Sequence, residues 1–260
     1  MKNHSTLLQS SRLKDTEFTL YGWNTCMQFF ERRPEDLCRL FFLKQLSSKL
    51  GSVKKWCAVH KLPYRELGMA SLNKVASAIH HEGIVMVVRP LEPSPVKAFI
   101  RNGLGRNGVA VALDRIGNTH NLGAILRTCA FFGADGLVIS NQEGQAKFTP
   151  SAAKTAEGAM EITPLYQCTD LASGLRDFMS QNIYVLGADL NAKPSLYDIE
   201  IRFPCVMVLG NEQEGLSSSV KKHCNQLVRI PGAEKIQSLN VAVAAGVILS
   251  ELVRYRNSKK

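Results

Sequence analysis

VAVALDRIGNTHNLGAILRTCAFFGADGLVIS, residues 109–140, decides the fold. VAVAL and GLVIS are apolar runs without polar alternation. Such runs fit strands covered on both faces, the signature of a parallel sheet sandwiched by helices. Between them, Asn121 to Phe132 carries helical spacing.

The pattern continues in the C-terminal direction. Pro150 to Gly158 reads as a small-residue helix and Leu171 to Met179 as another. IYVLGA and CVMVLG read as strands. Leu216 to His223 is helical, QLVRI is a strand, and Leu239 to Arg256 is a long helix. In the other direction lies RPLEPSPVKAFIRNGLGRNG, with three Pro, three Gly and four basic residues, which reads as a linker with a helical turn at Val96–Ile100. Ahead of it structure starts at Leu20–Trp23. Pro34, Glu35 and Asp36 suit a helix N-terminus, followed by Leu37, Leu40 and Phe41 at helical spacing, although Phe41–Leu43 also suits the start of a strand. Ser52–Lys61 and Ser71–Ile79 read as helices and IVMVV as a buried strand. The expected organisation is a flexible tail over 1–16, a small α/β domain over 17–90, a linker over 91–108 and a parallel-sheet domain over 109–260.

Bulk properties narrow the function. The 260 residues are 45% hydrophobic and 21% charged, an ordinary globular balance. The 32 Lys and Arg exceed the 22 Asp and Glu, for a net charge of +10, which favours an anionic partner and nucleic acid above all. No apolar core follows the basic residues of the N-terminus, as a secretory signal would need. The most apolar window, Leu239 to Val253, contains Asn240, Ser250 and Glu251 and falls short of a membrane span. The seven Cys form no CxxC or CxxH pair, so free thiols in a reducing cytoplasm are expected and a metal site is not.

In a parallel sheet ligands bind beyond the carboxyl ends of the strands, and three such ends stand out. The first, after VAVAL, carries Asn121, Gly123 and Arg127. Asn118 or Thr119 can cap the helix, and Gly123 lets another backbone approach. Asn121 and Arg127 are about 600° apart on a helix, so they share a crevice only if Asn121 stays in the loop. Arg127 can equally be a solvated helix residue. The second, VMVLGNEQEGLSSS, ends a buried strand at Gly210 and turns through Asn211, Glu212 and Gly215. Glu214 suits a helix start, whereas Glu212 is harder to explain that way. The third, RIPGAEKIQSLNVAVAAGV, places Ser238 as a helix cap and Asn240 at the mouth of an apolar helix, where a buried amide would need partners.

These three loops, in this order, resemble the three motifs of the SpoU (TrmH-type) branch of the SPOUT RNA methyltransferases: NTHNLGAILRTCAFFGADG, LGNEQEGL and IPGAEKIQSLNVAVAAGVIL. LYGWNTCMQFF and HHEGIVMVV resemble the small ribosomal-protein-like domain that precedes many such enzymes. The resemblance implies a deep trefoil knot, a homodimer, and methyl transfer from S-adenosylmethionine to a ribose 2′-hydroxyl of tRNA or rRNA. It assigns Leu209, Gly210, Asn211, Ile230, Ser238 and Leu239 to the methyl donor, and Asn121, Arg127, Glu212, Ser238 and Asn240 to catalysis. Thr119, Gln213, Gly232 and Ala242 depart from residues frequent in the family, outside this polar set. A non-catalytic RNA-binding or ribosome-assembly factor on the same fold is the alternative.

Overall fold

The computed structural model describes residues 17–102, 104–233 and 238–258; the tail expected over 1–16 lies outside them. The chain divides into two compact units, Met1–Glu92 and Pro93–Lys260.

The first unit contains β1 (Phe18–Tyr21), α1 (Trp23–Arg32), β2 (Leu37–Phe42), α2 (Gly51–Val59), β3 (Tyr64–Glu66), α3 (Met69–Ala76) and β4 (Ile84–Val88). Its sheet runs β1-β4-β2-β3. β4, buried at all five positions, is antiparallel to both neighbours. Helix α1 was not legible as a helix in the sequence. It buries Thr25, Cys26 and Phe29, and its first N–H, from Trp23, donates to the Glu82 carboxylate at 2.7 Å.

The helix expected after Pro34 is corrected to a strand. Pro34–Asp36 forms one 3-10 turn, and Leu37 already belongs to β2. A register shift between Leu37 and Arg39 breaks the alternation of β2, so Leu37 and Leu40 are both buried three residues apart. A β-bulge thus imitates helical spacing. Asp36 fixes the entry: its carboxylate meets Arg33 at 3.1 Å and Arg89 at 2.6 Å, and its carbonyl accepts the Arg89 N–H.

The second unit begins inside the stretch read as a linker. Ser94–Pro95 forms β5 and Val96–Asn102 forms α4. Val96 and Phe99 are buried in the core of this unit with Leu175, Phe178 and Val208, so burial overrides the Pro and Gly content here. Then follow β6 (Val109–Asp114), α5 (Thr119–Phe132), β7 (Gly136–Ser140), α6 (Pro150–Ala156), β8 (Leu165–Cys168), α7 (Leu171–Ser180), β9 (Tyr184–Ala188), β10 (Cys205–Gly210), α8 (Ser218–Lys221), β11 (Gln226–Val228) and α9 (Val241–Ser258). The sheet order is β11-β9-β10-β6-β7-β8-β5, parallel at every pairing. β6 and β7 are buried throughout, as their unbroken apolar runs require. α8 and β11 are shorter than expected, and β8 (LYQC) carried no strand signal.

Helices α5 and α6 touch where Gly123 has no side chain. A Cβ there would lie 2.5 Å from the Ala152 carbonyl oxygen and 2.8 Å from the Thr155 Cβ. Gly123→Ala should therefore lower stability by about 1–3 kcal/mol through overpacking. A lower urea midpoint with an unchanged slope would show it.

In the first unit His81, only 1% exposed, locks the turn into β4. The Gly83 N–H can only donate, so Nδ1 accepts it at 2.9 Å; Nε2 then carries the proton and donates to Asn73 Oδ1 at 2.8 Å. Burial holds the imidazole below its ordinary value. The unfolded chain then binds more protons, so the contribution of His81 is complete above about pH 6.5 and is lost as pH falls through the lower folded value. The hydrogen-exchange protection factor of the Gly83 amide should fall between pH 7.5 and 5.5, and His81→Gln should abolish that dependence.

Candidate functional site

The site is built at the carboxyl ends of β6 and β10, which pair in register through Leu113–Leu209 and Asp114–Gly210. Asn118 caps α5: its Oδ1 accepts the His120 N–H at 2.8 Å and the Asn121 N–H at 3.3 Å. Asn121 therefore lies on the helix, which starts at Thr119, and not in the loop. Asn121 and Arg127 consequently point about 120° apart around one axis, and the crevice that a loop-borne Asn121 would share with Arg127 does not form within the helix.

After β10 the chain turns back on itself. A Cβ on Gly210 would lie 2.4 Å from the Gly215 carbonyl carbon, so only glycine closes this turn without a clash. Gly215 adopts φ 67°, a left-handed value glycine takes without cost. The side chain of Asn211 is spent on this geometry. Its Oδ1 accepts the N–H groups of Gln213 at 2.9 Å and Glu214 at 3.2 Å, and its Nδ2 donates to the Arg115 carbonyl at 3.0 Å. Two further links join the loops after β6 and β10. Arg115 pairs with Glu214, and Asp114, 2% exposed, accepts the Ser217 N–H at 2.6 Å. Gln145 extends the frame to the loop after β7: Oε1 accepts the Ile116 N–H at 3.2 Å and Nε2 donates to the Ile116 carbonyl at 3.3 Å.

Asn240 brings in the third loop. It, and not Ser238, caps α9: its Oδ1 accepts the N–H groups of Ala242 at 2.9 Å and Val243 at 3.4 Å. Its Nδ2 donates to Asn121 Oδ1 at 3.1 Å, and Asn121 Nδ2 donates to the Glu212 carboxylate. The direction of this relay is forced. An ionised carboxylate only accepts, so Asn121 must turn its amide nitrogen to Glu212; its oxygen then faces Asn240, whose own oxygen is left for the helix cap.

The structure thus joins Asn121, Glu212 and Asn240, one residue from each loop. It does not bring Arg127 to them. Arg127 is exposed on α5 and makes no hydrogen bond or ion pair among the described residues. Ser238 is exposed and likewise unbonded among the described residues. Leu209 is buried, Gly210, Asn211 and Ile230 are half-buried, and Leu239 is 46% exposed. The supporting residues Asp114, Arg115, Glu214 and Gln145 were missed in the sequence. Asp114 had a signal: a carboxylate closing an otherwise apolar buried strand must find a donor. His120 lies alongside, with Nδ1 3.2 Å from Thr155 Oγ1. Among the described residues no group of three His, Cys, Asp or Glu could hold a metal, and no helix is long and apolar enough to cross a membrane.

Known proteins share both units. The sequence profile of the SpoU rRNA Methylase family matches residues 108–250, and that of the RNA 2′-O ribose methyltransferase substrate-binding domain matches residues 19–94. The chain is 32% identical over 246 residues to the 23S rRNA (guanosine-2′-O-)-methyltransferase RlmB of Pasteurella multocida, covering 91% of this chain and 98% of that protein. The RlmB of Haemophilus influenzae is also 32% identical, over 242 residues, with 91% and 97% covered. The crystal structure of the SpoU methyltransferase AviRb from Streptomyces viridochromogenes superposes with a TM-score of 0.78 at 22% identity, over 96% of this chain and 94% of that one. AviRb has also been crystallised with AdoMet, and that complex matches equally well, with a TM-score of 0.78 at 22% identity over 95% of this chain and 93% of that one. With matches across both its units, the chain belongs to the SpoU RNA methylase family.

Proposed function

We propose that the chain transfers a methyl group from S-adenosylmethionine to a ribose 2′-hydroxyl of tRNA or rRNA. The observation that carries this reading is the relay Glu212–Asn121–Asn240, which joins three loops at the strand ends. The residues present fit the donor. Leu209, Gly210, Asn211 and Ile230 offer main-chain groups there, those of Asn211 only, since its side chain is committed to the turn. Leu239 keeps an apolar side chain in solvent beside the hydroxyl of Ser238, suited to cover an adenine face.

S-adenosylmethionine, when bound, supplies a methyl carbon already activated by its sulfonium. The chain's own task is alignment, exclusion of water and care of the departing proton. Asn121 and Asn240 are each held at both ends of the amide, so their free edges are fixed before substrate arrives. Glu212 anchors the relay. Arg127 orients the ribose hydroxyl and stabilises negative charge growing on its oxygen; a guanidinium stays protonated, so the proton leaves to water or to a neighbouring phosphate.

The same reading includes a homodimer. Arg127 and Phe131 share the exposed face of α5, and Phe131 is 83% exposed. α9 packs beside α5 and adds Val243, 53% exposed. A second copy seated on this face would bury both apolar groups and give Arg127 the polar partners it lacks among the described residues of its own chain. The trefoil knot belongs to this proposal too. It is supported by the seating of Arg229 against the connection between β9 and β10, where Arg229 N–H donates to Pro194 and its carbonyl accepts from Leu196. The seven cysteines form no disulfide, which suits a reducing cytoplasm.

The test is transfer of label from radiolabelled S-adenosylmethionine to total tRNA and, separately, to ribosomal RNA from cells lacking this chain. Wild type should label one pool at an alkali-stable linkage. Asn121→Ala and Arg127→Ala should each lose about 10²-fold or more in rate. Undiminished transfer by Arg127→Ala would remove its assignment; no label with no calorimetric donor binding would favour the RNA-binding alternative. Phe131→Glu should turn a dimer into a monomer by light scattering, and a wild type that is already monomeric would refute the interface.

A further inference from the structure

The charges of the first unit are not spread evenly. From residue 37 to residue 65 the chain has seven Lys and Arg and no Asp or Glu, where its average acid content would place about two or three. A surface charged only for solubility mixes both signs. Three arginines of this unit have carboxylate partners: Arg33 and Arg89 share Asp36, and Arg39 pairs with Glu17. Lys44, Lys49, Lys55 and Lys61 are exposed and make no ion pair or hydrogen bond among the described residues.

These lysines cluster around α2. Lys54 Nζ reaches Ser47 Oγ at 2.9 Å and lies over the Phe42 ring, which fastens the 44–49 turn to the helix. Val53 and Cys57 face the core, so Ser52, Lys55 and Val59 face solvent at helical spacing. Val59 is 69% exposed. Beside it the rings of Trp56 and His60 stack at 3.9 Å with an interplanar angle of 26°, and Phe30 meets Trp56 edge-on at 6.2 Å. The Trp56 indole N–H is buried with no acceptor among the described residues. An apolar and aromatic ledge framed by uncompensated lysines matches single-stranded RNA: phosphates take the charges and an unstacked base takes the ledge.

We propose that this α2 face is the RNA-gripping surface of the first unit, with Lys49, Lys55 and Lys61 on backbone phosphates and the Val59–His60 ledge against an unpaired base. It rests on the reading of the chain as an RNA-modifying enzyme and adds where, and by what chemistry, that unit holds its substrate. The surface reads phosphates and stacking; by itself it does not specify a sequence.

The test uses the full chain and two probes, transcribed tRNA and deproteinised ribosomal RNA, in filter binding across a KCl series. The triple variant Lys49→Gln, Lys55→Gln, Lys61→Gln should flatten the slope of log K against log[KCl] by about 2 and weaken binding at 0.1 M KCl about tenfold or more. His60→Ala should weaken binding several-fold without changing the slope. Lys74→Gln, on the exposed side of α3, should change neither. Circular dichroism and donor calorimetry on the same samples show whether the variants are folded. An unchanged slope in the folded triple variant for both RNAs overturns the proposal, as does an equal loss in Lys74→Gln. A flattened slope alongside a wild type that transfers no methyl supports the surface and refutes the enzymatic reading, so the two fail separately.

Discussion

Burial of β6 and β10 on both faces is the constraint on which the second unit depends. A parallel sheet sandwiched by helices has no wet side, so polar groups along its central strands cannot be satisfied except at the strand ends. Asp114, Gly210 and Asn211 mark that boundary. Below it the strands are uniformly apolar; above it the donors and acceptors of three loops find each other. The relay is therefore a consequence of the sheet, assembled where the apolar layer stops.

Within the relay one carboxylate sets the polarity of everything bonded to it. Glu212 accepts, Asn121 must then donate to it and accept on its other side, and Asn240 is oriented in turn until its oxygen ends on the α9 cap. Asn240 is thereby both a helix terminus and a member of the relay, which ties the register of the last helix to the Asn121–Glu212 contact. The Arg115–Glu214 pair and the Asp114–Ser217 bond hold the same loops from behind. Arg127 is the exception. Among the described residues it stands outside this frame, on the face of α5 that also exposes Phe131.

The two units divide the labour by chemistry. The second is apolar to its strand ends and joins the polar groups of three loops there. The first has a four-stranded sheet, and its exposed Lys44, Lys49, Lys55 and Lys61 lie on and around α2.

The sequence by itself determined the parallel sheet, because unbroken runs such as VAVAL, GLVIS and CVMVLG have no other stable placement. It also pointed to a cap at Asn118 or Thr119, to the need for Gly123, and to the three loops that matter, since their residue types are costly at strand ends without a purpose. Tertiary structure alone decided the rest. The bulge in β2 disguised a strand as a helix, and burial of Val96 and Phe99 drew a Pro- and Gly-rich stretch into the core. Helix α1 and strand β8 take their identity from neighbours and not from their own pattern. Which of Asn121 and Arg127 joins Glu212 depended on a contact between residues 91 positions apart. Local propensity carries no information about such pairs, because it ends within one turn of helix or one strand.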